Sequence, residues 1–155
     1  LGFTRETQRS ARKLQRGETV VFDPVARAFA WGVSKPSDLS KLRFFLRDGF
    51  GPLAHYGIHD IRMRETSATI IAPILDPRRL KVTLTMDAEA SVWITFLSGG
   101  SKVGEALVGP QAVAVTLDIG ASKLFRGDNP IELRCEKAAT ALPRILRIEL
   151  SQPAL

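Results

Sequence analysis

His55 and His59 stand four residues apart, with Asp60 beside the second. On a helix that spacing would let two imidazoles chelate one metal ion. Gly57 lies between them and Gly51-Pro52 just before, and both residue types oppose helix formation. A third ligand would also have to come from elsewhere, so ordinary hydrogen bonds from a loop are expected and no metal site. The same loop carries Phe50 and Tyr56, the single tyrosine of the chain. It is the densest group of aromatic and imidazole side chains outside the expected core.

Trp93 sits in SVWITFL, where Val92, Ile94 and Phe96 alternate onto one face of a strand and Ser91, Trp93 and Thr95 onto the other. A tryptophan on the polar face is either covered by another part of the protein or open to a ligand. A flat indole offers an apolar platform to a sugar ring while nearby polar groups take the hydroxyls, and Tyr56 and Trp31 are the other aromatic candidates. Trp31 ends a short strand and is equally suited to the core.

Arg62 and Arg64 alternate against Ile61 and Met63, which makes a local basic stripe. With Lys81 and Arg134 they could recognise acidic sugars or phosphate, because guanidinium groups grip planar anions in two-pronged fashion. The competing reading is a solvated sheet face neutralised by Glu65, Glu132 and Glu136.

No arrangement suggests catalysis. Gly-x-Ser-x-Gly, the P-loop and the dinucleotide-binding glycine pattern are missing from the sequence. No cofactor is therefore expected. Carboxylate pairs can be drawn from Asp48, Asp60, Glu65, Asp87 and Glu89, but glycoside hydrolysis depends on a separation that sequence does not fix. The single Cys135 lies in phase with Ile131 and Leu133 and reads as a buried core thiol.

These residues need a scaffold, and the alternation supplies one. Leu80 to Leu97 reads as two strands joined by a short polar turn. Ser98-Gly99-Gly100-Ser101 signals a hairpin returning into Lys102 to Val108. Ala112 to Ile119 and Ile131 to Glu136 alternate, as does Pro143 to Leu150, with Leu146, Ile148 and Leu150 in phase. Thr19 to Asp23, Arg27 to Trp31, Arg43 to Arg47 and Asp60 to Glu65 look extended. Pro73 makes Ser67 to Ile74 an edge or terminal strand. About ten short strands with frequent turns predict an all-β antiparallel sandwich or barrel.

The 155 residues suit one domain with an extension. Residues 1–18 are expected to form a basic helical connector, and residues 19–155 the sandwich. Thr4 can cap a helix that Gly17 stops, and only Ala11 and Leu14 give it an apolar side, so weak docking is expected. Arg5, Arg9, Arg12, Lys13 and Arg16 supply much of the excess of 22 Lys and Arg over 16 Asp and Glu. The expected role is a solvated link to an upstream domain of the same polypeptide, with contact to a membrane surface or partner through residues 5–16 as the sharper alternative. A basic tail is a weak sign of nucleic-acid binding, and none is expected. No apolar run approaches the roughly 20 residues of a membrane-spanning helix. The start at Leu1 rather than Met reads as a piece of something longer.

The run AVTLDIGASKLFRGDNPIELRC, followed by LPRILRIEL, resembles the end of the galactose-binding-like jelly roll, in which a strand passes through a helical turn to a Gly-x-Asn corner that feeds another strand. Here the corner is Gly127, Asp128 and Asn129. The hairpin VWITFLSGGSKVGEALV and the opening FLRDGFGPLAHYGIHDIRMRE with SATIIAPI are similar to parts of the same superfamily, so the resemblance covers roughly Leu42 to Leu150. It implies a jelly-roll β-sandwich, often appended to carbohydrate-active enzymes, that binds sugars or serves only as a structural accessory, without catalysis. Many members hold a structural calcium, but no compact set of Asp and carbonyl-rich turns suggests one here. The expectation is a non-catalytic carbohydrate-binding module of a larger protein, using Trp93, Tyr56, His55, His59, Asp60, Arg62 and Arg64. The alternative is a structural or protein-interaction domain of a membrane-associated or glycan-synthesising enzyme.

Overall fold

A computed structural model describes residues 5–22, 45–50, 61–136 and 141–153. Among the described residues one α-helix, α1 (Arg5–Gln15), precedes nine strands, and a single 3-10 turn spans Ala121–Lys123. The nine strands are β1 (Val20–Phe22), β2 (Ile61–Arg62), β3 (Ser67–Ile74), β4 (Leu80–Asp87), β5 (Val92–Ser98), β6 (Ser101–Val108), β7 (Val113–Ile119), β8 (Gly127–Cys135) and β9 (Arg144–Ser151). The strands form two antiparallel sheets. One runs β1-β9-β4-β7, with β2 also paired to β9, and the other runs β3-β8-β5-β6. The expected strand at Arg27 to Trp31 lies outside the described residues.

Alternation builds the layer between the sheets. Leu80, Val82, Leu84 and Met86 of β4 are fully buried and face Val92, Ile94 and Phe96 of β5 across the core, with Ile131 and Leu133 of β8 beside them. Each such aliphatic side chain contributes about 1.5–3 kcal/mol by leaving water. β4 and β5 are not paired with each other as a hairpin. β4 pairs with β7 and β9, and β5 with β6 and β8, so residues 88–91 carry the chain from one sheet to the other. That crossing is held where the Ala88 amide donates to the Gly109 carbonyl at 2.8 Å.

Local chemistry sets the corners. Gly99 and Gly100 both have positive φ, +60° and +80°, the backbone that a two-residue hairpin turn demands. Asn129 pins its own corner: its side-chain amide donates to the carbonyls of Phe125 at 2.8 Å and Gly127 at 3.1 Å, and its Oδ1 accepts from the Phe125 amide at 2.9 Å. The corner is already part of the ladder, since Gly127, Asp128 and Asn129 pair with Ile74, Pro73 and Ala72. β3 lies at the rim of its sheet as Pro73 requires, with β8 on one side and a single bridge from Leu46 to Ile70 on the other.

β9 departs from simple alternation. Its pairing with β4 shifts between Thr85 and Met86, which face Arg147 and Ile145. Leu146 is the extra residue of this bulge. Ile145, Ile148 and Leu150 are therefore the buried set, and Leu146 is only half-buried.

α1 docks more firmly than its two apolar residues suggest. Thr7, Ala11 and Leu14 are all completely buried, and the helix packs against β3 and β1. The Thr7 hydroxyl donates to Asp128 Oδ2 at 3.2 Å. At the other end the Arg78 guanidinium donates to the Gln15 carbonyl at 3.1 Å, satisfying a last-turn acceptor that has no partner within the helix. No helix among the described residues is long and apolar enough to cross a membrane.

Candidate functional site

Two features meet at the end of the sandwich where β4 passes into β5. The first is an apolar platform on the outer face of the β3-β8-β5-β6 sheet. The inward residues Val92 and Ile94 anchor β5 in the core and force Trp93 outward, where it is 50% exposed. Its cross-strand partner on β6 is Leu107, 48% exposed. Glu136 borders the indole: its amide donates to the Trp93 carbonyl at 3.1 Å, and its Oε1 accepts from the Trp93 amide at 3.3 Å. Thr95 follows on the same face, flanked by Glu105 and Arg134.

That polar border is held in place. Arg134 grips Glu132 through Nε at 3.2 Å and a terminal nitrogen at 3.0 Å, and the Ser67 hydroxyl donates to the same carboxylate at 2.8 Å. The Ser67 hydrogen bond, with Arg134 assisting against partial burial, holds the Glu132 carboxyl below the usual carboxylate range. The face thus offers an apolar plate beside fixed donors and acceptors. Such a surface suits a ligand with one apolar face and a rim of hydroxyls.

The second feature is a cleft of about 340 Å3 lined by Arg62, Asp87, Ala88, Glu89, Pro110, Leu142 and Arg144. The register of β2 against β9 places Arg62 directly opposite Arg144. Asp87, at the end of β4, takes the Arg144 guanidinium in two-pronged fashion at 2.6 and 3.0 Å. Two guanidinium groups and two carboxylates balance in charge, so the cleft is a dense set of hydrogen-bonding groups rather than an anion trap.

Among the expected site residues, the structure places Trp93 on the platform and Arg62 in the cleft. Arg64 is exposed and outside the cleft, its amide donating to the Gly49 carbonyl at 2.7 Å. His55, Tyr56, His59 and Asp60 lie outside the described residues, as does Trp31. Lys81 and Arg134 do not join one patch: Lys81 faces out from β4 in one sheet beside Asp118, and Arg134 faces out from β8 in the other, bound to Glu132. Leu107 and Arg144 enter the two features without a sequence signal having pointed to them, whereas Asp87 and Glu89 were expected only as possible carboxylate pairs and Glu136 only as a neutralising neighbour. Leu107 was hidden by a second bulge: the pairing of β5 with β6 shifts between Phe96 and Leu97, so alternation carried across the Gly99-Gly100 turn would put Ala106 rather than Leu107 opposite Trp93. Arg144 becomes visible only through the long-range pairing of β2 with β9. Among the described residues no three His, Cys, Asp or Glu side chains cluster as metal ligands.

The two sheets and their order make an antiparallel β-sandwich of the jelly-roll class. Solved structures of that class superpose on the chain. The CBM36-1 domain of a multidomain xylanase from the hindgut metagenome of Trinervitermes trinervoides matches 68% of this chain and 87% of its own, with a TM-score of 0.50 and 12% identity. A family 35 carbohydrate-binding module from an environmental isolate matches 72% of this chain and 97% of its own, with a TM-score of 0.50 and 17% identity. The GH26-CBM35 β-(1,4)-mannanase of Podospora anserina matches 90% of this chain and 28% of its own, with a TM-score of 0.53 and 13% identity. No protein-family model and no curated protein sequence matches the chain.

Proposed function

We propose that the chain is a non-catalytic carbohydrate-binding module of a larger protein, holding a glycan across the Trp93–Leu107 platform and into the neighbouring cleft. The observation that carries this reading is the half-exposed indole of Trp93 on the polar face of a central strand. α1 packs on β3 and β1, which supports an open Trp93. A pyranose would lay its C–H face on the indole and turn its hydroxyls to Glu105, Thr95 and Glu136. The cleft, with its paired charges, is within the size range of small-ligand sites. His55, Tyr56, His59, Asp60 and Arg64 complete the set of expected contacts, His59 and Asp60 being joined through Ile61 to Arg62.

A glycan array followed by calorimetry on the chain tests the reading. Saturable binding of at least one oligosaccharide is expected. Failure to bind any neutral or acidic glycan at millimolar concentration would contradict it and favour the other use of an exposed Trp–Leu pair, contact with a protein partner.

A further inference from the structure

Arg9, Arg12 and Lys13 of α1, with Arg16 directly after it, recur at the spacing that lines side chains up on one side of a helix, and all four are exposed. Seven residues at 1.5 Å per residue spread them over about 10 Å. Arg16 is paired with Glu18 at 2.6 Å. Arg9, Arg12 and Lys13 have no carboxylate partner among the described residues. The helix beneath them is fixed: Thr7, Ala11 and Leu14 are buried, Thr7 is tied to Asp128, and Gln15 is tied to Arg78. The charges therefore form a rigid row on the surface of the sandwich, not a cluster on a loose tail.

We propose that this row binds a linear acidic polysaccharide, with Arg9, Arg12 and Lys13 taking successive carboxylate or sulfate groups. Guanidinium groups pair with such anions in two-pronged geometry, and a preformed row loses less side-chain freedom than a tail would. A lipid surface fits less well. Helices that lie in a membrane interface bury an apolar face among the headgroups, whereas Ala11 and Leu14 are already buried in the sandwich and the exposed residues of α1 among those described are Gln8, Arg9, Arg12, Lys13 and Gln15. Naming a polysaccharide rather than another polyanion rests on the glycan-binding reading above.

The test uses the whole chain with four probes: heparin for sulfated chains, polygalacturonate for carboxylated ones, phosphatidylserine-containing vesicles, and a short DNA duplex. The chain is expected to bind heparin, polygalacturonate or both more tightly than vesicles or DNA, with affinity falling as salt is raised. The triple variant Arg9→Gln, Arg12→Gln, Lys13→Gln is expected to lose at least about tenfold in that affinity while its unfolding midpoint stays that of the parent. Trp93→Ala is expected to keep it, so loss of neutral-glycan binding and loss of acidic-polymer binding are read on different variants. Equal binding by the parent and the triple variant would overturn the proposal. So would tighter binding to vesicles or DNA, binding to none of the probes, or an acidic-polymer affinity that depends on Trp93.

Discussion

Gly49→Ala perturbs the segment that straps β3 and leads toward residues 51–60. Gly49 has φ +88°, and a Cβ added there would run into the Ser67 carbonyl oxygen and come within 2.6 Å of Ala68 Cα and 2.8 Å of its Cβ. All three are groups of β3 itself, so no flexible side chain can move aside. The strap would have to lift. With it would go the bonds from Thr69 N–H to the Asp48 carbonyl at 3.0 Å, from Arg47 N–H to the Thr69 carbonyl at 2.9 Å and from Arg64 N–H to the Gly49 carbonyl at 2.7 Å. The left-handed backbone costs about 1–2 kcal/mol for a residue with a Cβ, and forcing atoms into filled space costs about 1–3 kcal/mol more. A loss of roughly 2–5 kcal/mol follows, a large share of the 5–15 kcal/mol that typically holds a domain together. For a chain of this size that lowers the thermal midpoint by roughly 4–20 °C. Gly100→Ala is the matched control: its φ is +80°, but nothing lies within 4 Å of the added Cβ, so only the backbone cost remains. Thermal unfolding of both variants separates the two contributions. If Gly49→Ala melts no lower than Gly100→Ala, the packing of the strap on β3 described here is wrong.

Leu14→Ala removes a fully buried side chain from the core cluster and should cost about 2–3 kcal/mol, the lower part of the range for such cavities because a peripheral helix can settle inward. Hydrogen exchange should show α1 opening faster, whereas exchange of the parent's slow amides in β4 and β5 tracks only the global loss. Cys135 is buried, and burial, with Glu136 adding to it, pushes its thiol up from 9.0 to about 11. The folded chain then holds the thiol proton more tightly than the unfolded chain does. That contribution is fully present below pH 9 and is lost as pH rises toward 11. Denaturant midpoints should fall across this window, and Cys135→Ala should flatten the part of the fall that the thiol causes. At neutral pH a thiol reagent should label Cys135 only after denaturant is added.

Alternation made most of the sandwich legible because a strand with one buried face has to repeat every second residue. Which residues of β4, β5 and β8 face the core follows from that alternation, whereas which strands pair does not. The crossing between β4 and β5 was not visible, since a short polar link reads the same whether it closes a hairpin or changes sheet. Leu146 misled for a related reason: a bulge inserts one residue and reverses the phase, and nothing in LPRILRIEL marks it. The docking of α1 was underestimated because Thr7 counts as polar in a sequence pattern, yet it is buried once Asp128 is beneath it. At the site, parity alone placed Trp93 outward, but the cleft joins β2, β4 and β9, and that juxtaposition is a property of the register.

The central claim rests on Trp93, and calorimetric titration of the parent chain and Trp93→Ala with a bound oligosaccharide tests it most directly. Trp93 is half-exposed with its backbone locked between β6 and β8, so the variant should keep its fold and lose the platform. An aromatic contact contributes about 0.5–1.5 kcal/mol beyond the area it covers, and with that area included the account predicts a dissociation constant raised at least about tenfold. An unchanged dissociation constant in a folded Trp93→Ala chain would contradict it.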